Sequence, residues 1–95
     1  MKYKITYSDA FKKHYKKLSD IEKAQTKKKI SFFVENPYHP SLRTKKIKGS
    51  DNIYEFSVNM DIRVIWFYHN DEVIILLDIG HTIYLIRFKN ARRRV

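Results

Sequence analysis

One arginine stands inside the most apolar run of the sequence, MDIRVIWFYH over residues 60–69. Arg63 carries a charge that is almost never fully buried unless it is paired. Its side chain therefore points to a solvated face of the strand or waits for a negative partner. A guanidinium donates bidentate hydrogen bonds to phosphate and stays charged at any working pH. Arg63 is thus a candidate polyanion-binding residue, with a structural ion pair to Glu55, Asp61 or Asp78 as the alternative.

Histidine is the other residue type here that could do chemistry, because an unperturbed imidazole titrates near pH ~6.5. The four histidines, at positions 14, 39, 69 and 81, are scattered without metal-ligand spacing. Cysteine is absent, which excludes a disulfide framework, a thiolate metal site and a cysteine nucleophile. We therefore expect no metal and no cofactor. From the residues alone, His81 after Gly80 is either an acid–base group or a cap of the preceding strand.

Charge is the strongest signal in the composition. Twenty Lys and Arg against ten Asp and Glu give a net charge of +10 over 95 residues, with a pI near 9.9. A domain pI above about 9 is typical of nucleic-acid binders. A solvated basic surface or an acidic protein partner is the alternative. We expect a polyanion, an acidic partner, or both at different times.

The first part of the chain predicts a strand followed by two helices. KYKITY over residues 2–7 alternates like a strand. A short helix capped by Ser8 or Asp9 follows, and Ser19 and Glu22 have the spacing of a capping box for a second helix that ends before Pro37. The apolar face of this second helix is predicted to hold Ile21, Ala24, Ile30, Phe32, Phe33 and Val34.

The second part predicts a loop and an antiparallel meander. Residues 36–52 hold both prolines and a possible short strand at 42–47. Strands are predicted at 53–59, 61–69 and 72–79, joined by connections short enough for hairpins. In the middle strand, Ile62, Val64, Trp66 and Tyr68 form one apolar face, which we expect to pack on the helices. Arg63 then lies on the opposite, more polar face.

These elements form one domain over residues 1–95, of the α+β class, with a helical hairpin on one face of a twisted antiparallel sheet. No secretory signal is visible at the N-terminus. The longest aliphatic run, residues 73–77, is far too short to span a bilayer. We expect a cytoplasmic protein. Residues 82–88, TIYLIRF, are compatible with a strand or a short helix, and a basic tail ends the chain.

Three segments together resemble the RelE/ParE superfamily of bacterial toxins from type II toxin–antitoxin systems. They are NPYHPSLRTKKIKG, SVNMDIRVIW and the Gly-His-x-x-Tyr run within DIGHTIYLIRF. Each motif is weak alone, but their order, spacing and total length are fairly specific. The resemblance covers nearly the whole chain and implies the same α+β fold.

The resemblance also implies a function and a set of residues. RelE-branch members are metal-independent endoribonucleases, many of which cut mRNA on the ribosome, whereas ParE-branch members inhibit DNA gyrase. Arg63 matches the strand arginine of the nuclease branch, and His81 and Tyr84 match its late His–Tyr pattern, which makes these three the candidate catalytic residues. Candidate RNA-binding residues are Lys45, Lys46, Lys48 and Arg87.

Three functions stay open at this point. The first is a ribosome-dependent mRNA endonuclease, in which Arg63, His81 and Tyr84 converge. The second is a gyrase-directed toxin, in which they do not converge. The third is a basic nucleic-acid-binding module without cleavage. The resemblance implies a cognate antitoxin, which we expect to be acidic, partly disordered and able to add a helix or a strand, in a possible toxin–antitoxin hetero-oligomer.

Overall fold

The computed structural model of the chain describes residues 2–82. Tyr84, Arg87 and the C-terminal basic tail lie outside the described residues. The elements, in chain order, are β1 (Lys4–Tyr7), α1 (Asp9–Lys16), α2 (Asp20–Glu35), a 3-10 helix (Pro40–Leu42), β2 (Lys45–Lys46), β3 (Tyr54–Ser57), β4 (Ile62–Tyr68) and β5 (Val73–His81).

Local signals fix both ends of the helical hairpin. The hydroxyl of Ser8 caps α1 by accepting a hydrogen bond from the Phe11 N–H at 3.0 Å. The capping box of α2 is complete: Ser19 Oγ accepts from the Glu22 N–H at 3.1 Å, and Glu22 Oε1 accepts from the Ser19 N–H at 2.9 Å. Helix α2 ends at Glu35, and Asn36 is extended because the following residue is proline. The capping box predicted from the sequence is therefore confirmed.

The strands form one five-stranded sheet in the order β1-β5-β4-β3-β2. The β3–β4 and β4–β5 hairpins are antiparallel as predicted, and β2 adds an antiparallel pair at the edge. Strand β1, however, pairs parallel to β5, with Lys4 opposite Val73. The predicted antiparallel sheet is thus confirmed for β2 to β5, and the parallel pairing of β1 makes the whole sheet mixed. A pairing between segments about 70 residues apart has no local signature, so hydrophobic alternation could not reveal its direction.

The main core lies between the helices and one face of the sheet. Phe11 and Phe33 pack there against Ile62, Val64 and Trp66, as the alternation in β4 predicts. The buried face of α2 differs from the prediction at the start of the helix, because Ile21 is 72% exposed. Thr26 is buried instead, and its hydroxyl donates to the Glu22 carbonyl at 2.8 Å, which satisfies the polar group without a side-chain partner.

The opposite face of the sheet, here called the open face, carries a smaller apolar cluster. Its buried members are Ile47, Ile53 and Ile65, with Phe67 and Leu77 packed against them. The open face is therefore apolar towards the β2–β3 loop and polar around Arg63. No helix among residues 2–82 is long and apolar enough to cross a membrane.

Candidate active site

Arg63 lies on the open face, as the alternation of β4 predicts. Its Cα partners are Ser57 on β3 and Gly80 on β5. Side chains directly opposite one another on neighbouring strands stand on the same face within about 5 Å. Gly80 has no side chain, so β5 places no side chain directly opposite Arg63.

The Arg63 guanidinium is held by the turn between β3 and β4. Its Nη1 donates to the carbonyl oxygens of Asn59 at 2.6 Å, Met60 at 3.1 Å and Ile62 at 3.2 Å. Asp78, one of the proposed ion-pair partners, is instead bound to His14. Within residues 2–82 the hydrogen bonds of Arg63 all leave from Nη1. The side chain is thus oriented by backbone carbonyls that add no negative charge.

A cavity of about 220 Å³ surrounds this guanidinium. It is lined by Arg43, Lys45, Glu55, Ser57 and Arg63. Arg43 is brought in by the end of the 3-10 helix, where its backbone is left-handed with φ 52°. Lys45 is brought in by β2, opposite Glu55 on β3. Three cations and one carboxylate therefore share one cavity on the open face.

Glu55 is the unusual member of this group, since it is only 2% exposed. Its Cα partner on β4 is Ile65, a member of the open-face cluster. Sequence reasoning placed Glu55 on the face of Arg63 but gave it no part in the site. The available signal was its spacing, because Glu55 and Ser57 alternate on the face that carries Arg63. Arg43 offered no such signal, because it lies in an irregular loop.

The predicted RNA-binding lysines are separated by the structure. Lys45 lines the Arg63 cavity. Lys46, the next residue of the strand, points to the other face, where its Nζ lies 5.7 Å from the centroid of the Tyr54 ring. Lys48 is exposed in the turn after β2. Only one of the three is therefore brought to Arg63.

His81 and Arg63 lie on opposite faces of the sheet. His81 is the Cα partner of Ile62, whose side chain is in the main core, whereas Arg63 is the partner of Gly80. A register shift in β5 opposite Ile65 and Trp66 explains this placement, because an extra residue in one strand reverses the face of every residue after it. Strict alternation from Leu76 would have put His81 on the open face.

The helix side of the sheet gives His81 a different neighbour. Its Nε2 lies 3.9 Å from Glu22 Oε2, at the start of α2. The pKa of Glu22 is lowered, chiefly because the Ser19 backbone N–H donates to its carboxylate, with a smaller contribution from His81. The structure thus places His81 next to a capping carboxylate, and its catalytic role stays a prediction.

Two of the other three histidines, His14 and His39, have structural partners. His14 Nδ1 lies 2.6 Å from Asp78 Oδ1 and ties α1 to β5. His39 caps the 3-10 helix and stacks on Phe32 at 4.5 Å between ring centroids. His69 is exposed at the tip of the β4–β5 hairpin. In the described part of the chain, no three His, Asp or Glu side chains are grouped closely enough to hold a metal ion.

Tyrosines gather at the far end of the main core. Tyr68 lies 5.7 Å from both Tyr3 and Tyr54 between ring centroids. Burial raises the pKa of Tyr68, and the neighbouring Tyr38 raises it further. Burial likewise raises the pKa of Tyr38. The phenols of Tyr68 and Tyr38 therefore stay protonated at neutral pH and are unsuited to act as bases.

Comparison with known proteins gives structural matches only. No protein-family model and no curated protein sequence matches the chain. Among solved structures, a mutant of the E. coli toxin RelE in the free state aligns with a TM-score of 0.73 and 20% identity, covering 100% of this chain and 99% of that one.

Two further structures agree with this match. RelE in the RelE–RelB complex from Pyrococcus horikoshii OT3 gives a TM-score of 0.71 and 19% identity over 85% of this chain and 96% of that chain. YafQ from E. coli strain BL21(DE3) gives a TM-score of 0.69 and 19% identity, covering 87% of this chain and 97% of that chain. The resemblance seen in the sequence is thereby confirmed for the architecture. The chain has the fold of the RelE toxins.

Proposed function

We propose that this protein is the toxin of a type II toxin–antitoxin system and that it is a metal-independent endoribonuclease acting on mRNA at the ribosome. One observation carries the proposal: Arg43, Lys45 and Arg63 line a single cavity on the open face of a RelE-type fold. Three cations around a cavity of this kind suit a phosphate of the RNA backbone. The net charge of +10 favours the approach of the RNA.

Cleavage of RNA without a metal needs three contributions. A base must take the proton of the 2′-hydroxyl, donors must stabilise the extra negative charge on phosphorus, and the departing 5′-oxygen must be protonated. Arg63 is assigned the second task, since its carbonyl-bound Nη1 orients the guanidinium. Preorganised donors of this kind often provide the largest catalytic contribution.

The remaining predicted residues keep the roles that the family resemblance implies. His81 is an acid or base and Tyr84 an acid or a stacking platform, while Lys46, Lys48 and Arg87 contact the RNA backbone. For His81 this role requires the RNA to pass around the edge of the sheet or β5 to rearrange, because the histidine and Arg63 lie on opposite faces. Arg63 and Lys45 need no such rearrangement.

We also propose an antitoxin partner. The structures that match this chain include RelE–RelB and DinJ–YafQ complexes. In this chain an apolar groove of about 470 Å³ lies between the helices, with Tyr7, Phe11, Tyr15 and Ile30 in it and Lys12, Lys16 and Lys27 along it. That combination suits an acidic amphipathic segment. Growth arrest on expression of this chain, relieved by a co-expressed gene of the same operon, tests the partner; no growth arrest contradicts a toxin.

Primer extension on a translated mRNA tests the nuclease. Wild-type protein is expected to give discrete cuts that require ribosomes. Arg63→Ala should lower the cleavage rate by about 10²–10³-fold. Lys16→Ala, which removes one exposed positive charge from the helix side, is the matched control and should cleave as wild type. A thermal melt of Arg63→Ala shows whether the variant is still folded. It therefore distinguishes a loss of catalysis from unfolding of the turn that the guanidinium holds.

Each outcome of this experiment selects a function. No cuts with wild-type protein would contradict a nuclease acting on ribosome-bound mRNA. Salt-sensitive RNA binding without cuts would favour a nucleic-acid-binding module. Equal loss of cleavage in Arg63→Ala and Lys16→Ala would reduce the role of Arg63 to general positive charge.

A gyrase-directed toxin is the second candidate, and one observation favours it. The candidate residues Arg63 and His81 do not converge, which is what this alternative predicts. A supercoiling assay with the same wild-type preparation tests it. Inhibition of gyrase without ribosome-dependent cuts would replace the nuclease by this function.

A further inference from the structure

We infer that Glu55 is the general base of the proposed cleavage reaction, accepting the proton of the 2′-hydroxyl next to the phosphate that Arg63 binds. This inference rests on the proposed nuclease function and names a residue that the sequence motifs did not select. It starts from the composition of the cavity rather than from the late His–Tyr pattern.

Within residues 2–82, the lining of the cavity offers few proton acceptors. Of its five lining residues, Arg43, Lys45 and Arg63 are cations that donate hydrogen bonds and have no acceptor when charged. Ser57 carries a hydroxyl, which is a weak base. Among these lining residues, Glu55 is the side chain whose ionised form accepts hydrogen bonds and protons. His81, the alternative base, lies across the sheet from this cavity.

The spacing between Glu55 and Arg63 suits the two tasks. Glu55 is opposite Ile65, and Ser57 is opposite Arg63, so Glu55 and Arg63 are diagonal neighbours on one face of the β3–β4 ladder. Diagonal neighbours of a ladder lie about 7–8 Å apart. At that separation both long side chains can reach one group bound between them, such as a phosphate with the adjoining ribose hydroxyl.

Burial and charge distinguish Glu55 from the other acidic residues. Glutamate is almost never fully buried unless its charge is compensated, yet Glu55 is 2% exposed. Lys45 stands directly opposite on β2, and Arg43 and Arg63 line the same cavity. A carboxylate held among cations in a cavity is the kind of group that active sites use for proton transfer.

In the proposed step, the Glu55 carboxylate takes the 2′-hydroxyl proton, and the 2′-oxygen forms a bond to the adjacent phosphorus. The guanidinium of Arg63 stabilises the extra negative charge on the phosphoryl oxygens. The bond from phosphorus to the 5′-oxygen breaks, and the leaving oxygen takes a proton from water. The products are a 2′,3′-cyclic phosphate and a 5′-hydroxyl end.

Single-turnover cleavage of ribosome-bound mRNA as a function of pH tests this assignment. The wild-type rate should rise with pH on the acid side, because the base must be deprotonated. Glu55→Gln keeps the size of the side chain and should lower the rate by about 10²–10⁴-fold. It should also remove the acid limb of the profile and leave ribosome binding within about threefold of wild type.

Controls distinguish a base from a structural carboxylate. Glu72→Gln, the same substitution at an exposed glutamate that does not line the cavity, should keep both the rate and the acid limb. Glu55→Asp retracts the carboxylate by one methylene and should keep the acid limb of the pH profile at a reduced rate. This variant replaces Glu55→Gln as the test if Glu55→Gln does not fold. In that case, cleavage by Glu55→Asp at the wild-type rate would overturn the inference.

Other results overturn the inference without touching the proposed function. Cleavage by Glu55→Gln at the wild-type rate, or at a reduced rate with the acid limb intact, would place the base elsewhere while leaving the protein a nuclease. Absence of cuts by wild-type protein would instead remove the proposed function, and this assignment with it.

Discussion

On the helix side of the molecule, polar side chains of β5 each contact a polar side chain of a helix. His14 is bound to Asp78, and His81 lies beside Glu22. On the open face, like charges gather instead: Arg43, Lys45 and Arg63 line one cavity with a single carboxylate. Concentrated charge of one sign weakens the compact state through self-repulsion. The two faces thus differ in their pattern of charge, and the cationic cavity is where the proposed anionic ligand would bind.

The apolar residues show the same division. The main core joins both helices to the sheet, whereas the open-face cluster has three buried members among residues 2–82. The four predictions that follow test this contrast between the faces, in order of decreasing expected effect.

Truncation of Trp66 should have the largest effect on stability. Trp66 is fully buried in the main core and contacts Phe33 and Tyr54, with ring centroids 4.9 and 4.7 Å away. Trp66→Ala should lower the free energy of unfolding by about 3–5 kcal/mol, measured by urea unfolding. Phe67→Ala, at the next position but half-buried on the open face, is the matched control. An equal decrease in the free energy of unfolding in both variants would show that the two faces of the sheet contribute equally to stability.

The pair of His14 and Asp78 should show a measurable coupling. A hydrogen bond that involves a charged group contributes about 1.5–3 kcal/mol. A double-mutant cycle of His14→Ala and Asp78→Ala should therefore give a coupling energy of about 1–3 kcal/mol in urea unfolding. The cycle is needed because either substitution alone also removes packing. Additive losses would mean that the 2.6 Å contact contributes nothing to stability.

The open-face cations should change RNA binding rather than stability. Arg43→Ala and Lys45→Ala should each reduce the slope of log affinity against log salt concentration by about 0.7 for single-stranded RNA, if each contacts one phosphate. Fluorescence anisotropy over a salt series measures this slope. Lys12→Ala, on the helix side, should leave the slope unchanged. Equal changes in all three variants would argue against a defined RNA site on the open face.

The capping carboxylate gives the smallest expected effect, and its sign follows from the pKa shift. The pKa of Glu22 is lowered in the folded protein by the Ser19 N–H. Its contribution to stability is therefore present above the unfolded pKa of about 4.3 and is lost as pH falls through the lower folded value. The difference in stability between wild type and Glu22→Gln should shrink below about pH 4.3 in urea unfolding. A pH-independent difference would contradict the shift.

Much of the fold could be predicted from short-range patterns. The capping box of Ser19 and Glu22 is encoded within four residues, and the hairpins follow from short connections between alternating runs. The position of Arg63 on the open face needed only the two-residue period of β4. These features depend on neighbours in sequence, so sequence patterns are sufficient to find them.

Other features could not be predicted from the sequence, because they depend on contacts between distant segments. Ile21 looks apolar enough for the core, yet it is exposed, and Thr26 is buried with its hydroxyl bonded to the backbone. The α2 residues that meet the sheet are set by how the hairpin lies on it, which helical periodicity alone does not give. Arg43 reached the cavity through the path of an irregular loop.

The sequence by itself determined the elements, their caps, the hairpins and the side of β4 on which Arg63 stands, because each depends on residues within a few positions of one another. The tertiary structure decided that β1 runs parallel to β5, that Glu55 and Arg43 join Arg63 in one cavity, and that His81 does not. One extra residue in the β5 ladder reverses the face of everything after it. Such a shift is set by pairing with the neighbouring strand, so it becomes visible only when the strands are assembled.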